Sequence, residues 1–409
     1  MAHLDIIDPI HDFVRVYEHE LALVDSPLFQ RLRRIRQLSG AHFTYPSAQH
    51  SRFEHSLGVM HIAGQAGTAL QEKGILNSDM LEILRLAGLL HDIGHGPFSH
   101  PFEEAMLGKK IPHEEFGKQI ILRSEIGDIL SQNGYEKKLV ASVAFGESKH
   151  QYLNEIISGA LSADMMDYLL RDGYFTGAEH ARIDHKRMIQ SFGMHRGRLA
   201  LEHSAQHSFE SMMHSRYQMF KAVYFHKTVR AAEMILIEAL RSAADELGLA
   251  TTNFDDFVRL ADEYVLSKLI SSVSPELERA RQLARDYQDR RLPKCVFEKT
   301  FTGRAGFKNI HPEKMRSEIS AKSRVPEDDI FVDSSATPSI PLAPSKNESK
   351  SLVLITKKNG RQTAEELPIS DIPIVSAIAG YMNILRVYTH QKHRKKVEIA
   401  ARSIIGDAR

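Results

Sequence analysis

Along most of the chain before residue 270, apolar residues recur every three or four positions, a spacing that predicts amphipathic helices. SLGVMHIAGQAGTALQEKG, SDMLEILRLAGLLHD, HEEFGKQIILRS and the long run SFESMMHSRYQMFKAVYFHKTVRAAEMILIEALRSAADELG all carry it. Ahead of them, SPLFQRLRRIRQL offers Ser26 as an N-cap and Pro27 at the first helical position, with Leu28, Leu32 and Ile35 on one face. Residues 6–17 (IIDPIHDFVRVY) differ: a proline turn leads into a short alternating run, which predicts a strand or hairpin arm. Residues 1–270 therefore read as one large helical domain with a short N-terminal hairpin.

The pattern changes after about residue 285. A charged run, RDYQDRRLPK, leads to CVFEKTF, which has the composition of a strand. SSATPSIPLAPSKNESKS predicts a surface loop near residues 333–351. SLVLITKKNGRQTAEELP has the form of a hairpin, with Asn359-Gly360 suited to the positive φ angles of a tight turn. The chain closes on YTHQKHRKKVEIAARSI, a basic helix. The fold class is thus mainly α, a helical core (1–270) with a small C-terminal α+β appendage (271–409). No internal repeat is evident.

Charge adds little, because 53 basic residues stand against 52 acidic ones. Composition therefore gives no case for wrapping nucleic acid or for attraction to a membrane surface. No run reaches the ~18 apolar residues of a membrane-spanning helix. MAHLDIIDPIHDF has no basic region followed by an apolar stretch, so no signal peptide is expected. The single cysteine, Cys295, excludes an internal disulfide framework and fits a reducing cytosol, so a cytoplasmic location is expected. The KHRKK run reads as a solvated helix end rather than a nucleic-acid site.

Histidine does change the picture. The chain has 22, many of them between residues 42 and 113, and histidine is the commonest metal ligand and the side chain that titrates nearest neutrality. In LLHDIGHGPFSHPFEE a helix delivers His91 and Asp92, and Gly94, Gly96 and Pro97 then end it. Neighbours on a helix point about 100° apart, so this pair shares an ion only near a helix end, where side chains can bend. His55 in RFEHSLGVMH and Asp164 in LSADMMDYLL, both in helical patterns, complete two imidazoles and two carboxylates. Such a mixed set favours an octahedral divalent ion with open positions: Mn²⁺, Fe²⁺ or Mg²⁺, and less typically Zn²⁺. A closed structural zinc site would want thiolates.

RFEHS, LLHDIGHGPFSH and ADMMDYLLRD resemble the motifs of the HD-domain phosphohydrolases. They are especially similar to the branch of deoxynucleoside triphosphate triphosphohydrolases that includes the vertebrate enzyme with a sterile-alpha-motif domain. DPIH, FQRLRRIRQL, HEEF, RYQMFKAVYFHK and ILRVYTHQKHRKKVEIAAR have counterparts in the same order, so the likeness covers nearly the whole chain, with no sterile-alpha-motif segment. It implies that His55, His91, Asp92 and Asp164 hold the metal, and that His95, His100 and His113 surround the reacting α-phosphate. Glu103, three residues after His100, can reach back to orient an imidazole and keep it charged as a general acid; the family has aspartate there.

The resemblance also assigns Arg52 and Arg216 to phosphates, a role that suits guanidinium geometry. Tyr168, Asp172 and Tyr224 would line the sugar pocket, and Gln37 and Leu38 would pack on the deoxyribose. Asp25, Gln30 and Arg33 match a regulatory guanine-nucleotide site; the RLRRIR cluster they adjoin reads equally as a solvated face. Other positions depart from the family. Met165 replaces a lysine, Phe220 a histidine and Phe225 a glutamine. Leu4 and Ile7 replace a lysine and an asparagine of the regulatory site, and Gly193, Glu202 and Ser204 replace basic residues of a second one. The activity implied is hydrolysis of a dNTP to deoxynucleoside and inorganic triphosphate by a homo-oligomer, a dimer or a tetramer. The alternatives are a related phosphohydrolase or nuclease acting on another phosphate ester or single-stranded nucleic acid, and a nucleotide sensor that turns over little. No P-loop pattern occurs.

Overall fold

The computed structural model describes residues 2–108, 112–301, 311–334, 351–358, 361–378 and 383–406. Local capping chemistry starts the main helices. Ser51 accepts from Phe53 N and pairs with Glu54 in a capping box to open Arg52–Glu72. Asn77 opens Ser78–Leu90, and Ser162 opens Ala163–Thr176. The 52–72 helix is the central one and buries residues on nearly every side, Leu57, Val59, Met60, Ile62 and Ala63 among them. Burying one such large apolar side chain contributes roughly 1.5–3 kcal/mol. Its partner, the 78–90 helix, comes close through small residues: a Cβ on Gly88 would stand 3.2 Å from Met60 Cα.

Strands β1 (His3–Asp8) and β2 (Asp12–Tyr17) form the expected N-terminal hairpin, which turns Val14 and Val16 into the core. Ser26 caps as read, but the helix it opens is short. Pro27–Gln30 is α-helical, Arg31–Arg34 tightens to a 3-10 turn, and Ile35 is extended. There the chain leaves the helix to bridge Arg36 with Ser51. Leu28, Leu32 and Ile35 are nevertheless all buried.

The helical pattern dominates to about residue 270 as expected, with an interruption. β3 (Phe192–His195) and β4 (Arg198–Glu202) form a hairpin whose turn, Arg196-Gly197, has φ of 50° and 80°. A partner from far downstream then extends it: β7 (Ser351–Lys358) lies parallel to β4, with Leu201 opposite Leu354. The 208–248 run is also not one helix. Gln206–Met219 passes into a π-turn at Phe220–Tyr224, and Lys227–Ala243 begins afresh with His226 accepting from Thr228 N.

The C-terminal region carries a three-stranded antiparallel sheet in which β9 (Asn383–Thr389) lies between β5 (Lys294–Phe301) and β6 (Ile330–Ser334). Helices Pro312–Ser323 and Arg394–Ile405 bury Ile319, Val397, Ala400 and Ala401 against its Phe297, Ile330 and Val387. β7 pairs with β8 (Arg361–Pro368) as the expected hairpin; its turn residues Asn359-Gly360 lie outside the described residues. So does residue range 335–350 of the Ser/Pro-rich loop, whose flanks end β6 and begin β7. Among the described residues no helix is long and apolar enough to cross a membrane.

Candidate metal centre and active site

The 78–90 helix ends immediately before the expected ligand pair. His91 is its C-cap and Asp92 lies in the turn beyond, which frees both side chains from the helical 100° separation. The 52–72 helix brings His55 alongside, and donor atoms of His55, His91 and Asp92 all lie within 4.8 Å of one another. Asp164, in the first turn of Ala163–Thr176, approaches the two histidines from the more open side but stands outside this group of mutually close donors. Its Oδ1 is 3.1 Å from His55 Nε2 and 3.9 Å from His91 Nε2. Cis ligands around one octahedral ion at 2.1 Å stand about 3 Å apart, so this spacing suits a single divalent ion with modest closure.

Two further observations fit a cation there. His91 Nδ1 is 2.8 Å from the Gly88 carbonyl, which leaves Nε2 to face the centre, buried and without a hydrogen-bond partner. Burial opposes charge on His55, yet Asp164, Asp167 and Asp92 outweigh it and push its pKa up to about 10. The carboxylates thus demand positive charge at the point where a metal would sit. The fit supports a divalent ion; the donor set is all nitrogen and oxygen, with no thiolate.

Behind His55 lies a support that the sequence reading missed. Asp167 is fully buried, and its Oδ2 accepts from His55 Nδ1 at 2.8 Å while Oδ1 lies 2.6 Å from His11 Nε2. Arg171, one turn on, donates to both oxygens at 2.9 Å and also to Asp8 at 2.8 Å. Burial opposes ionisation of Asp167, but Arg171, His11 and His55 hold its carboxyl well below the usual range. A carboxylate on the far nitrogen of a ligand histidine fixes its tautomer and raises its basicity. Gly58 makes room for this: a Cβ there would lie 1.8 Å from Asp167 Oδ1. The signal was the spacing Asp164, Asp167, Arg171, which places all three near one helix face.

On the other side of Asp92 stand the remaining histidines. His95 Nε2 is 3.3 Å from Asp92 Oδ1, and its ring stacks on His113 with centroids 3.7 Å apart. His113 opens the helix His113–Arg123 as expected, and it packs closely because Gly94 has no side chain. A Cβ on Gly94 would meet His113 O at 2.1 Å and Gly117 N at 2.5 Å. A Gly94→Ala chain should therefore lose about 1–3 kcal/mol or more of stability, as overpacking against backbone does. Urea denaturation measures this, and an unchanged midpoint would show that the helix can retreat freely.

Glu103 reaches back to His100 as expected and also serves a second imidazole. His100 Nδ1 lies 3.3 Å from Glu103 Oε2, but its side chain is 75% exposed; His113 Nδ1 bonds Glu103 Oε1 more closely. Burial opposes charge on both members of the pair. Glu103 still raises the His113 pKa, and His100 and His113 hold the Glu103 carboxyl below its usual range. Burial, Arg52 and His113 instead keep the His95 pKa well below its usual value. One ring is thus poised to carry a proton beside another kept neutral, as acid–base chemistry on a phosphate ester requires. Arg52 bonds Asp92 through Nη1 and donates from Nε to Ser99 Oγ at 2.7 Å.

Asp172 and Tyr224 come together across two helices, with Tyr224 Oη donating to Asp172 Oδ2 at 2.6 Å. Tyr168 lies 6.4 Å from Tyr224 in an edge contact. Arg216, mostly buried, sits near the Tyr168 and Phe220 rings and 3.4 Å from Met165 Sδ. Gln37 is held by its N–H on the His50 carbonyl and keeps Oε1 buried without a partner; Leu38 packs on the core. His50 is a second missed residue. Its Nε2 is 2.8 Å from Asp172 Oδ1, and its ring stacks on Phe175. Away from this site, Gln30 and Arg33 are hydrogen-bonded to each other at 2.9 Å, with Arg33 over the Phe53 ring, and Asp25 is exposed.

Residues 52–172 match the family model of the HD domain, and residues 183–406 match that of the HD associated region. The chain is 37% identical over 241 residues to the uncharacterized protein YwfO of Bacillus subtilis, covering 58% of this chain and 55% of that one. It is 29% identical over 374 residues to the deoxynucleoside triphosphate triphosphohydrolase SAMHD1 of Homo sapiens, covering 78% and 59% respectively. It thus spans a little over half the length of these relatives. A crystal structure of a hypothetical protein from Aquifex aeolicus superposes with a TM-score of 0.79 at 28% identity, covering 98% of this chain and all of that one.

Proposed function

Because this chain belongs to the HD-domain family, with an HD-associated region after the HD domain, we propose that it hydrolyses deoxynucleoside triphosphates to deoxynucleoside and inorganic triphosphate. The observation that carries the reading is the position of Asp92, shared between the His55/His91 centre on one side and the His95–His113–Glu103 group on the other. A divalent ion bound by His55, His91, Asp92 and Asp164 supplies Lewis acidity for a phosphoryl oxygen and lowers the pKa of water. Arg52 and Arg216 hold the phosphates. His113, whose pKa Glu103 raises, gives its proton to the 5′-oxygen as the bond from that oxygen to the α-phosphorus breaks, while the attacking water bonds to phosphorus and gives up a proton to solvent. Tyr168, Asp172 and Tyr224 orient the sugar, with Gln37 and Leu38 against it. The same reading takes the ion to be Mn²⁺, Mg²⁺ or Fe²⁺ and the working form to be a cytoplasmic homo-oligomer.

One observation favours a second reading, a phosphohydrolase for esters with fewer phosphates. Arg216 has a thioether and an aromatic ring, Met165 and Phe220, as its neighbours, where the resemblance leads one to expect a lysine and a histidine. A poorer cationic lining suits a less charged substrate. Incubation with Mn²⁺ or Mg²⁺ and each dNTP, NTP, deoxynucleoside monophosphate and labelled single-stranded DNA, followed by product identification, separates the two. Inorganic triphosphate released from dNTPs is the expected result. Orthophosphate from monophosphates, or shortened DNA, with no triphosphate would move the assignment to the second reading.

A further inference from the structure

Asp262 belongs to no motif and stands at the start of the helix Asp262–Ser271, where an acid would ordinarily stay in water and cap its own helix. Instead it is 1% exposed, and both of its oxygens serve other segments. Phe98 N donates to Oδ1 at 2.6 Å, and Arg36 N donates to Oδ2 at 2.9 Å. Both amides lead directly into the site. Phe98 and Ser99 have φ of 60° and 58°, consecutive non-glycine residues in left-handed backbone. Each such residue costs of order 1–3 kcal/mol and persists only where its surroundings hold it. Ser99 Oγ then donates to Arg36 O at 3.0 Å and accepts from Arg52 Nε, while Arg52 grips Asp92. His100 follows at once and opens the helix that carries Glu103.

We infer that Asp262 is a positioning residue: by clamping the Phe98 and Arg36 amides it holds the strained Phe98–Ser99 turn, and through Ser99 it aims Arg52 and Asp92. The inference rests on the phosphohydrolase reading for its kinetic consequence. The role needs a carboxylate. Asparagine has one acceptor oxygen, and its NH₂ would face a backbone N–H, leaving a buried donor unpaired. Burial pushes the Asp262 carboxyl up to about 6, against the pull of the two amides and Arg36, so it still accepts both bonds at neutral pH. The charged and titratable groups around it are Arg31, Arg36, Glu263 and Tyr287.

The test compares wild type, Asp262→Asn and Ser99→Ala as full chains loaded with Mn²⁺, using whichever phosphate ester the wild type cleaves. Both variants should lose about 10- to 100-fold in kcat, the scale of a misplacement near 1 Å. KM should stay within about threefold and bound manganese should be unchanged. Amide hydrogen exchange should quicken at Phe98, Ser99 and Arg36 in Asp262→Asn and not elsewhere. An unchanged kcat with a lower melting temperature would overturn the inference and leave Asp262 as structural only. Should Asp262→Asn fail to fold, Ser99→Ala decides by its kcat. Should the wild type cleave no phosphate ester, the functional reading fails by itself, and local or uniform quickening of exchange decides the positioning role.

Discussion

Replacing Asp92 with alanine should release the divalent ion and reduce hydrolysis by about a thousandfold or more, the rate equivalent of the several kcal/mol that metal-ion catalysis supplies. The expectation rests on how many roles converge on one carboxylate. Asp92 lies 3.4 Å from His91 Nε2 and 3.3 Å from His95 Nε2, and it is ion-paired with Arg52. Burial opposes its ionisation, yet Arg52, His91 and His95 hold it well below the usual carboxylate range, so it is an anion whenever the protein is folded near neutrality. Without it, Arg52 is a buried cation with no ion-pair partner among the described residues, and destabilisation of roughly 3–5 kcal/mol should accompany the loss of activity. Metal content by elemental analysis, urea unfolding and turnover are the three measurements. A variant that keeps its divalent ion and more than a tenth of its turnover would place the chemistry elsewhere.

Asp167→Ala should be nearly as damaging, although Asp167 itself faces no open space. Its removal strands Arg171, His11 and His55 Nδ1 around a cavity, and among the described residues only Asp8 remains to balance Arg171. Breaking a buried charge network of this kind costs roughly 3–5 kcal/mol, and loss of the carboxylate behind a ligand histidine lowers metal affinity by about 10- to 100-fold. Calorimetric metal titration and equilibrium unfolding would measure both. An affinity within threefold of wild type would mean that His55 is oriented by other groups. The pH dependence has a definite sign. The folded-state carboxyl is depressed below its unfolded value of about 3.9, so its stabilisation is present in full above that value and is lost as pH falls below it. Asp167→Asn should therefore flatten the acid side of the stability profile.

The candidate residues around the metal centre were named from the chain alone, through short motifs that resemble those of the HD-domain phosphohydrolases. Ser26 followed by Pro27 announces a helix start, which the structure keeps as a short helix, and the run HDIGHGPFSH carries the most specific part of the family likeness. What was not legible has a common physical form. The β3–β4 hairpin falls within a mostly helical stretch, and its partner β7 comes from far along the chain. His11, His50 and Asp262 act through hydrogen bonds to residues 156, 122 and 226 positions away, and such pairings leave no periodicity.

The residue types, taken alone, pointed to a nitrogen–oxygen set suited to a divalent ion and to the helical segments that carry it, since each follows from the chemistry of a short segment. Tertiary structure decided how the set is held: Glu103 gripping buried His113 more closely than exposed His100, Asp167 rather than water behind His55, and Asp262 under the strained turn at Phe98 and Ser99. Those choices depend on which polar groups burial leaves without water, and only packing settles that.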